Sequence, residues 1–391
     1  VIIIALLPCQ SFAAAFLVYQ QDAKAQGMGM AVTASLDNPA AIFYNPALLT
    51  DQKGFGFSVN DAIVMPERKF KDSLTGITYN AKATTHNLPT LFAKYTRDDL
   101  SIGLGIFSPF GLSSEWPSYW PGRYNSIYAE LKTVYINPVV DFRMNEYVSL
   151  GFGLSYIKSS ITMKNALPLA PAPDGLAKLS GDADAVSYNA GVTVKLPEQY
   201  TVAMTFRSGA NLDVDGTAKF YVIPQLKPLF PNFDASATLS MPWLATLGIA
   251  KKLGPWTFEA DLIYSGWSSF DRYTIDFAGI PVQSFYKDWT NTPSIALGVN
   301  YIWNKNLEMQ AGYMYDRTPV PKKTLTPEIP DASRNLFTVG ASYKKDGFKA
   351  SAAYQATFFD QADSRNNIVN APRGKYDSFI NVIVVGVAYE W

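Results

Sequence analysis

The sequence is poor in the residues that carry most enzyme and metal chemistry. Its 391 residues include one cysteine, Cys9, and one histidine, His86. A lone cysteine cannot build a disulfide framework or a thiolate zinc site, and a lone histidine excludes a histidine-rich metal centre. We therefore expect no metal, no other cofactor and no enzymatic activity.

Charge is also scarce, and it is balanced. The 33 basic and 33 acidic residues cancel, and charged residues make up 17% of the chain, below the ~25% of an average soluble protein. Nucleic-acid binders normally carry a basic excess, so we exclude nucleic acid as a partner. No apolar run approaches the ~20 residues of a membrane-spanning helix, which excludes a helical membrane protein.

Residues 1–13 have the features of a secretory signal peptide. The apolar stretch Val1–Leu7 is followed by Pro8 and then by small residues up to Ala13, where we predict cleavage. A lipoprotein signal acylated at Cys9 fits less well, because a proline directly precedes the cysteine. The pattern predicts an exported protein.

From about residue 55 onward, apolar residues recur at every second position, which is the period of a β-strand. In segment 148–156, for example, five apolar residues alternate with glycine and serine. Short polar turns near residues 98, 145, 198, 254, 305 and 346 alternate with long connections at roughly 66–87, 108–130, 160–184, 208–236, 266–292, 317–333 and 358–377. Six short turns and seven long connections join fourteen strands.

Fourteen strands enclose a lumen too wide for their own side chains to fill, since about 8 strands is the limit for a packed interior. A large soluble β protein would have to bury the apolar set, so we place that set against lipid and the small polar set in the lumen. We predict an all-β fold, a transmembrane 14-stranded antiparallel β-barrel over residues 55–391. It would lie in the bacterial outer membrane, in contact with lipid and lipopolysaccharide.

The end of the chain supports a membrane location. The last strand carries an apolar stripe that ends at Trp391. A terminal aromatic residue on the lipid-facing side is typical of outer-membrane barrels, where it is read by the barrel-assembly machinery. A plain interfacial anchor would use the same residue.

Residues 14–54 do not follow the strand rhythm. They contain two Asn-Pro-Ala tripeptides seven residues apart, the second formed by Asn45, Pro46 and Ala47. Asparagine before proline favours a turn or an extended backbone. We predict a compact plug, here called the hatch, that closes the lumen.

The sequence resembles the FadL/TodX family of outer-membrane transporters for long-chain fatty acids and hydrocarbons. The resemblance covers the whole mature chain and rests on the order of short motifs: Ala14-Ala15-Phe16, Asn45-Pro46-Ala47-Leu48, Ser108-Pro109-Phe110-Gly111-Leu112, Ile136-Asn137-Pro138, Trp267-Ser268-Ser269-Phe270, Asp316-Arg317-Thr318-Pro319-Val320-Pro321 and Ile329-Pro330-Asp331 with Arg334. It implies that a hydrophobic small molecule enters between outer loops, reaches a pocket bordered by the mature N-terminus, and leaves laterally through a kinked third strand. We expect a monomer.

The third strand carries candidates for that kink. Gly103 and Gly105 lie on its lumen-facing side, shortly before Ser108, Pro109 and Phe110. Glycine marks a kink or a close backbone approach, and proline cannot donate to the ladder. We favour a kink that the Asn-Pro-Ala motif of the hatch contacts, although glycine can also simply make room.

Two connections, 162–179 and 220–233, are rich in apolar residues. Such residues are costly on a cell surface unless they cover one another or a ligand. Our candidates for the ligand groove and pocket are Ala14, Phe16, Leu167, Leu169, Phe220, Ile223, Leu229 and Phe230. Packing of loop against loop is the alternative.

A fatty acid would also need a cation for its carboxylate. Lys287, followed by an aspartate as in many family members, is the first candidate, and Arg123 and Lys158 are weaker ones. The alternation of β residues points Lys158 outward. Pro293 and Ser294 stand where some family members have an arginine, which favours a neutral ligand.

Four functions remain open. Transport of long-chain fatty acids comes first, and an uptake channel for aromatic or aliphatic hydrocarbons would need no buried cation. A non-selective polar porin would need an open lumen, and the hatch argues against it. A structural or adhesive barrel is the fourth. We interpret His86 as a solvated residue of the first outer loop rather than as half of a lipase-like Ser–His pair.

Overall fold

A computed structural model describes residues 16–277, 280–328 and 330–391. The predicted signal peptide, 1–13, and Ala14 lie outside these residues. The barrel strands are β1 (Gly54–Asp72), β2 (His86–Arg97), β3 (Leu100–Phe107 and Gly111–Glu115), β4 (Tyr128–Arg143), β5 (Val148–Leu167), β6 (Gly175–Leu196), β7 (Tyr200–Arg207 and Ala210–Tyr221), β8 (Phe233–Met241 and Leu244–Leu253), β9 (Trp256–Ser265 and Arg272–Phe277), β10 (Ile280–Tyr286 and Thr292–Ile302), β11 (Leu307–Asp316), β12 (Arg334–Lys345), β13 (Phe348–Phe359) and β14 (Gly374–Glu390).

The sheet closes on itself, because β1 pairs with β14 from Gly56 opposite Glu390 to Asp72 opposite Gly374. Each strand pairs antiparallel with its neighbours in the chain, and two short strands, Thr78–Asn80 and Ala362–Asp363, extend the outer rim. The prediction of a 14-stranded antiparallel barrel is confirmed. The six short turns lie at one rim, as the sequence predicts.

Side chains alternate between the lipid and the lumen along every strand. On β5, Phe152, Leu154 and Tyr156 are exposed on the outer face, whereas Gly151 and Ser155 are buried against the interior. A broad belt of exposed aliphatic and aromatic residues therefore surrounds the barrel, as expected for a surface that faces lipid.

Several predicted connections are shorter than expected. Strand β5 continues to Leu167 and β6 begins at Gly175, and β7 runs on to Tyr221. The reason is that pairing continues beyond the apolar belt, where outward positions become polar, as at Thr162 and Lys164. These hairpins extend beyond the membrane-facing belt as paired strands, so the predicted connections 160–184 and 208–236 are too long.

The lumen is filled by residues 16–53, almost all of them buried. They form helices α1 (Ala23–Gly27) and α2 (Ala41–Tyr44) and a 3-10 helix, Pro46–Asp51. Further 3-10 turns lie in connections at Pro197–Gln199, Pro224–Leu229, Trp267–Ser269 and Lys322–Thr324. Among the residues described, none of the helices has the length and apolar character to cross a membrane.

The chain ends next to its first strand. Phe55 and Trp391 exchange two backbone hydrogen bonds of 3.0 Å, and their rings lie 4.5 Å apart. The Trp391 side chain is exposed on the outer face. Its recognition by the assembly machinery stays a prediction.

The lipid-facing assignment predicts the effect of a charge on β5. Phe152 lies between Tyr147 and Tyr156 and is 56% exposed, so Phe152→Arg should destabilise the folded barrel by ~2–4 kcal/mol. Denaturant unfolding of protein reconstituted in lipid vesicles measures this change. Thr162→Arg, beyond the apolar belt, is the matched control and should cost less than ~1 kcal/mol. Equal costs would contradict the placement of the belt.

Candidate ligand pocket and lateral window

Two carboxylates of the barrel wall hold the hatch. Asp261 accepts hydrogen bonds from the backbone N–H groups of Val32 and Thr33, both 3.1 Å, and from the Thr33 hydroxyl at 2.6 Å. Glu259 accepts from the Ala34 N–H at 2.5 Å. Sequence reasoning missed this pair, although acidic residues on the lumen side of a strand were a signal that could have found it.

A cluster of ion pairs holds the hatch at the rim of the short turns. The Lys24 ammonium of α1 lies 2.8 Å from both Asp37 of the hatch and Glu308 of β11. Lys349 of β13 lies 3.5 Å from Asp37. The hatch is thus attached to the wall by charge as well as by packing.

The Asn-Pro-Ala motif contacts β5 and β6, and the 3-10 helix Pro46–Asp51 that it begins also lies near β3. The Asn45 amide donates to the Thr33 carbonyl at 2.7 Å and to the Thr193 hydroxyl of β6 at 2.9 Å. Pro46 and Ala47 lie against Gly151 of β5, where a Cβ would come within 2.5 Å of the hatch backbone. Asn45 is extended, and its side chain accepts a hydrogen bond from the Ala47 N–H at 3.0 Å.

Gly103 and Gly105 are not where β3 breaks, so the prediction of a kink at these two glycines is wrong. Both lie in the part of β3 that pairs regularly with β4. A Cβ on Gly103 would lie 2.8 Å from the Ile42 side chain of the hatch, and one on Gly105 would lie 2.9 Å from it. The two glycines make room for the hatch.

The break in β3 falls at Ser108, Pro109 and Phe110. Strand β3 pairs with β2 only up to Ile106 opposite Leu91, and Gly111–Glu115 pairs with β4 alone. No backbone pairing among the described residues joins 86–90 of β2 to β3. We call this gap, between residues 86–90 and 107–114, the window.

The first described residues of the hatch bond to the broken part of β3. Val18 N–H donates to the Pro109 carbonyl at 2.8 Å, and Leu17 forms a β-bridge with Phe110. The Gln21 side chain donates to the Ser108 carbonyl at 3.1 Å and accepts from its N–H at 3.3 Å. The hatch therefore supplies backbone partners that the neighbouring strand does not.

A cavity of about 550 Å³ lies at the window. It is bounded by hatch residues Leu17 and Val18, and it extends to Ile106 and Val134, which are exposed on the lipid face. His86 lines it as well, so the prediction of a solvated loop position is wrong: this residue begins β2, is half-buried and lies 2.8 Å from the Thr84 hydroxyl. The cavity connects the interior to the lipid side of the wall.

Phe16 lies in an aromatic cluster between the window and the outer loops. It is fully buried, and its ring centroid lies 4.9 Å from that of Trp267, 5.8 Å from that of Phe110 and 6.4 Å from that of Trp289. Phe270 packs further along, with its ring tilted against that of Trp289 and the centroids 4.7 Å apart. One set of rings joins the start of the hatch to the break in β3.

Next to this cluster is a small apolar cavity of about 40 Å³ inside the outer part of the barrel. It is lined mostly by aliphatic side chains together with Tyr273, whose ring lies 6.1 Å from Phe270: Ile161, Met163, Leu179, Val214, Ala237, Leu239 and Ile275. We call this cavity and the cluster around Phe16 the pocket. A ligand larger than a water molecule or two must displace side chains to enter the cavity.

Lys287 lies at the edge of the pocket. Its side chain is buried, 3% exposed, and its ammonium is 5.5 Å from the centroid of the Tyr273 ring. Glu328, in the connection before β12, is buried close enough to interact with this charge. Burial raises the pKa of the Glu328 carboxyl to about 7, against the opposing effect of Lys287.

The two weaker cation candidates lie elsewhere. Arg123 pairs with Asp174 at 2.9 Å and with the Tyr124 hydroxyl in the outer connections. Lys158 is exposed on the outer face of β5, as its position in the alternation predicts. Neither side chain lines the pocket.

The groove candidates divide into two groups. Leu167 and Phe220 are buried, and Phe220 packs against Phe230 at 6.1 Å; Leu169 packs against the same core. Ile223 and Leu229 remain exposed, at 36% and 49%. The outer connections therefore pack on each other while leaving these two candidates, Ile223 and Leu229, at the surface.

Comparison with known proteins places this architecture in a family. Residues 4–390 match the model of the outer membrane protein transport protein family (OMPP1/FadL/TodX), and the chain belongs to this family. It is 28% identical, over 87% of its length and 85% of the relative's, to the long-chain fatty acid transport protein of an Escherichia coli O6:H1 strain. The protein is thus an outer-membrane β-barrel of this transporter family.

Two solved structures show the same fold. The crystal structure of a Pseudomonas aeruginosa FadL homologue superposes with a TM-score of 0.86 at 22% identity, covering 96% of this chain and 99% of the other. The Ralstonia pickettii toluene transporter TbuX gives 0.74 at 15% identity, covering 96% and 100%. Fatty-acid and hydrocarbon transporters share this architecture, so the fold alone does not identify a ligand.

The anchoring of the hatch by Asp261 makes a testable prediction. Asp261→Ala removes three hydrogen bonds to the hatch and leaves buried N–H groups unsatisfied, at a cost of about 1–3 kcal/mol each. We expect a looser hatch and more frequent open events in planar-bilayer conductance recordings. Asp213→Ala, on the exposed outer side of β7, is the control. An unchanged conductance would show that these bonds do not keep the lumen closed.

Proposed function

We propose that the protein carries long-chain fatty acids inward across the outer membrane. The acid is captured at the outer connections near Ile223 and Leu229 and held in the pocket, with its carboxylate at Lys287. It then leaves laterally through the window. Transport is passive and involves no catalysis.

The observation that carries the proposal is the buried ammonium of Lys287 beside an apolar pocket. Burial of a charge is costly unless other groups compensate it. An anionic head group is attracted more strongly to such a cation than to one in water, because the local dielectric constant is low. An apolar cavity with one buried cation at its edge suits a molecule with a long tail and a carboxylate.

The contacts of the hatch support the lateral route. Phe16 lies in the pocket, while Leu17, Val18 and Gln21 bond to the broken part of β3. A ligand that displaces Phe16 therefore moves a segment that seals the window. Binding and opening are coupled through six residues of chain.

An uptake channel for hydrocarbons is the second candidate, and one observation favours it. Glu328 is near Lys287 and can neutralise it when ionised. The pocket would then present no net charge and would suit an aromatic or aliphatic hydrocarbon. A non-selective porin is disfavoured because the hatch fills the lumen.

Lys287→Met tests the choice between these candidates. It removes the charge and keeps an unbranched apolar stem, so we expect the Kd of a long-chain fatty acid to rise about tenfold, equivalent to ~1.4 kcal/mol. The Kd of the matching alcohol should change less than about twofold. Equilibrium binding to detergent-purified protein measures both.

Lys158→Met is the matched control, since it removes the same charge from the outer face. It should leave both dissociation constants unchanged. If the wild-type protein binds the alcohol or a simple aromatic hydrocarbon as well as the acid, the hydrocarbon channel becomes the better account. If it binds none of them, the porin has to be reconsidered.

The raised pKa of Glu328 makes the preference for the acid depend on pH. Below about pH 7 the Glu328 carboxyl is protonated and no longer neutralises Lys287. The carboxyl of the fatty acid, with a pKa of ~4.3 when free, is still ionised at pH 6. The acid-to-alcohol affinity ratio should rise about threefold or more between pH 8 and pH 6. Glu328→Gln should show the higher ratio at both pH values. A pH dependence that survives this substitution would assign it to another group.

A further inference from the structure

The upper edge of the window is closed by backbone and side-chain contacts that cross the gap, among them an ion pair of 3.1 Å between Lys82 and Glu115. The Lys82 N–H donates to the Glu115 carbonyl at 2.8 Å. Below it, the Arg68 guanidinium of β1 donates to the Ser113 carbonyl of β3 at 3.0 Å. Arg68 shares the lumen-facing side of β1 with the buried Phe70 and lines the window cavity.

Arg334 and Lys132 also line this cavity, and each is paired with a carboxylate. Arg334 donates to Asp316 at 2.8 Å through its Nε. Lys132 lies 3.0 Å from Glu130. Arg68, by contrast, has no carboxylate within ion-pair distance in the described part of the chain, and the buried Asp331 acts on its charge only from further away. A guanidinium has five N–H donors, and the Ser113 carbonyl occupies one of them.

The rest of the window cavity is largely apolar. Its walls come from the hatch, from the edge of β2, from both parts of β3 and from β12: Leu17, Leu88, Phe107, Phe110, Leu112 and Leu336. From Arg68 the cavity extends to the lipid-exposed Ile106 and Val134. Its volume of about 550 Å³ is large enough for an extended chain rather than a head group alone.

We propose that Arg68 is a second binding site for the ligand's carboxylate, in the window cavity, and that it determines the orientation of exit. This inference rests on the proposed transport of fatty acids. The carboxylate bonds to Arg68 at the upper edge while the acyl chain lies along the apolar walls toward Ile106. The molecule therefore enters the bilayer tail first, and its charge leaves the protein last.

This orientation follows from the different costs of moving the two ends. An acyl chain passes from an apolar cavity into lipid with little change in solvation, whereas a carboxylate must lose its partners or carry a proton. A cation at the lumen side of the window lets the tail partition first, before the charge is released. Arg68 is then a specificity-determining residue for the exit step, distinct from Lys287 in the pocket.

The test compares initial uptake rates of a radiolabelled long-chain fatty acid and its alcohol. The host cells lack their own transporter and produce the wild-type protein, Arg68→Gln, Arg68→Lys or the control Arg97→Gln, which alters an exposed arginine at the end of β2. We expect Arg68→Gln to lower acid uptake about tenfold and alcohol uptake less than about twofold. Arg68→Lys, which keeps the charge, should retain most of the acid uptake.

The heat-dependent gel shift of folded barrels verifies that each variant has assembled. If Arg68→Gln fails to assemble, Arg68→Met and Arg68→Lys provide the same comparison of a neutral with a charged side chain. Equal loss of acid and alcohol uptake would mean that Arg68 only holds the edge of the window, and no loss would mean that it has no role in exit; either result overturns this inference. If the wild-type protein takes up the alcohol but not the acid, the proposed fatty-acid function itself fails.

Discussion

Backbone hydrogen bonding in lipid is the constraint on which the rest of this structure depends. A strand in the bilayer has no water to satisfy its N–H and C=O groups, so the wall must close, as it does between β1 and β14. The break at Ser108–Phe110 is a local exception, and the hatch compensates for it with the Val18 N–H and the Gln21 amide. The hatch is therefore both a plug and a part of the wall.

The structure provides separately for the two parts of the proposed ligand, its apolar tail and its charged head. An apolar tail needs aromatic and aliphatic surface, which the cluster around Phe16 and the walls of the window cavity supply. The two cations proposed to bind a charged head are poorly solvated: Lys287 lies at the edge of the pocket, and Arg68 lines the window cavity. The two cations lie at different places in the barrel and have different partners. Either one can therefore be substituted without removing the apolar side chains that surround the ligand's tail.

Most of the fold could be predicted from the sequence, because alternation and turn spacing are local properties of the chain. Contacts between hatch and wall could not be predicted in this way. Alternation places Gly103 on the lumen side but does not show that Ile42 fills the space beside it. Likewise, Lys287 could be named from a motif, whereas Glu259, Asp261 and Arg68 acquire partners only when distant segments meet.

The attachment of the hatch also bears on the order of assembly. Gln20 bonds to Gln355, which lies 335 residues away in the chain. Gln26 bonds to the Val382 carbonyl, which lies 356 residues away. The hatch therefore has binding partners in the last two strands of the barrel, which are synthesised long after it. Contacts of such separation form slowly, because long loops must close before any bond compensates for their entropy. The hatch can complete its contacts only when the last two strands are in place, and the final closure of the barrel around it is the step at which a misplaced hatch would be trapped inside.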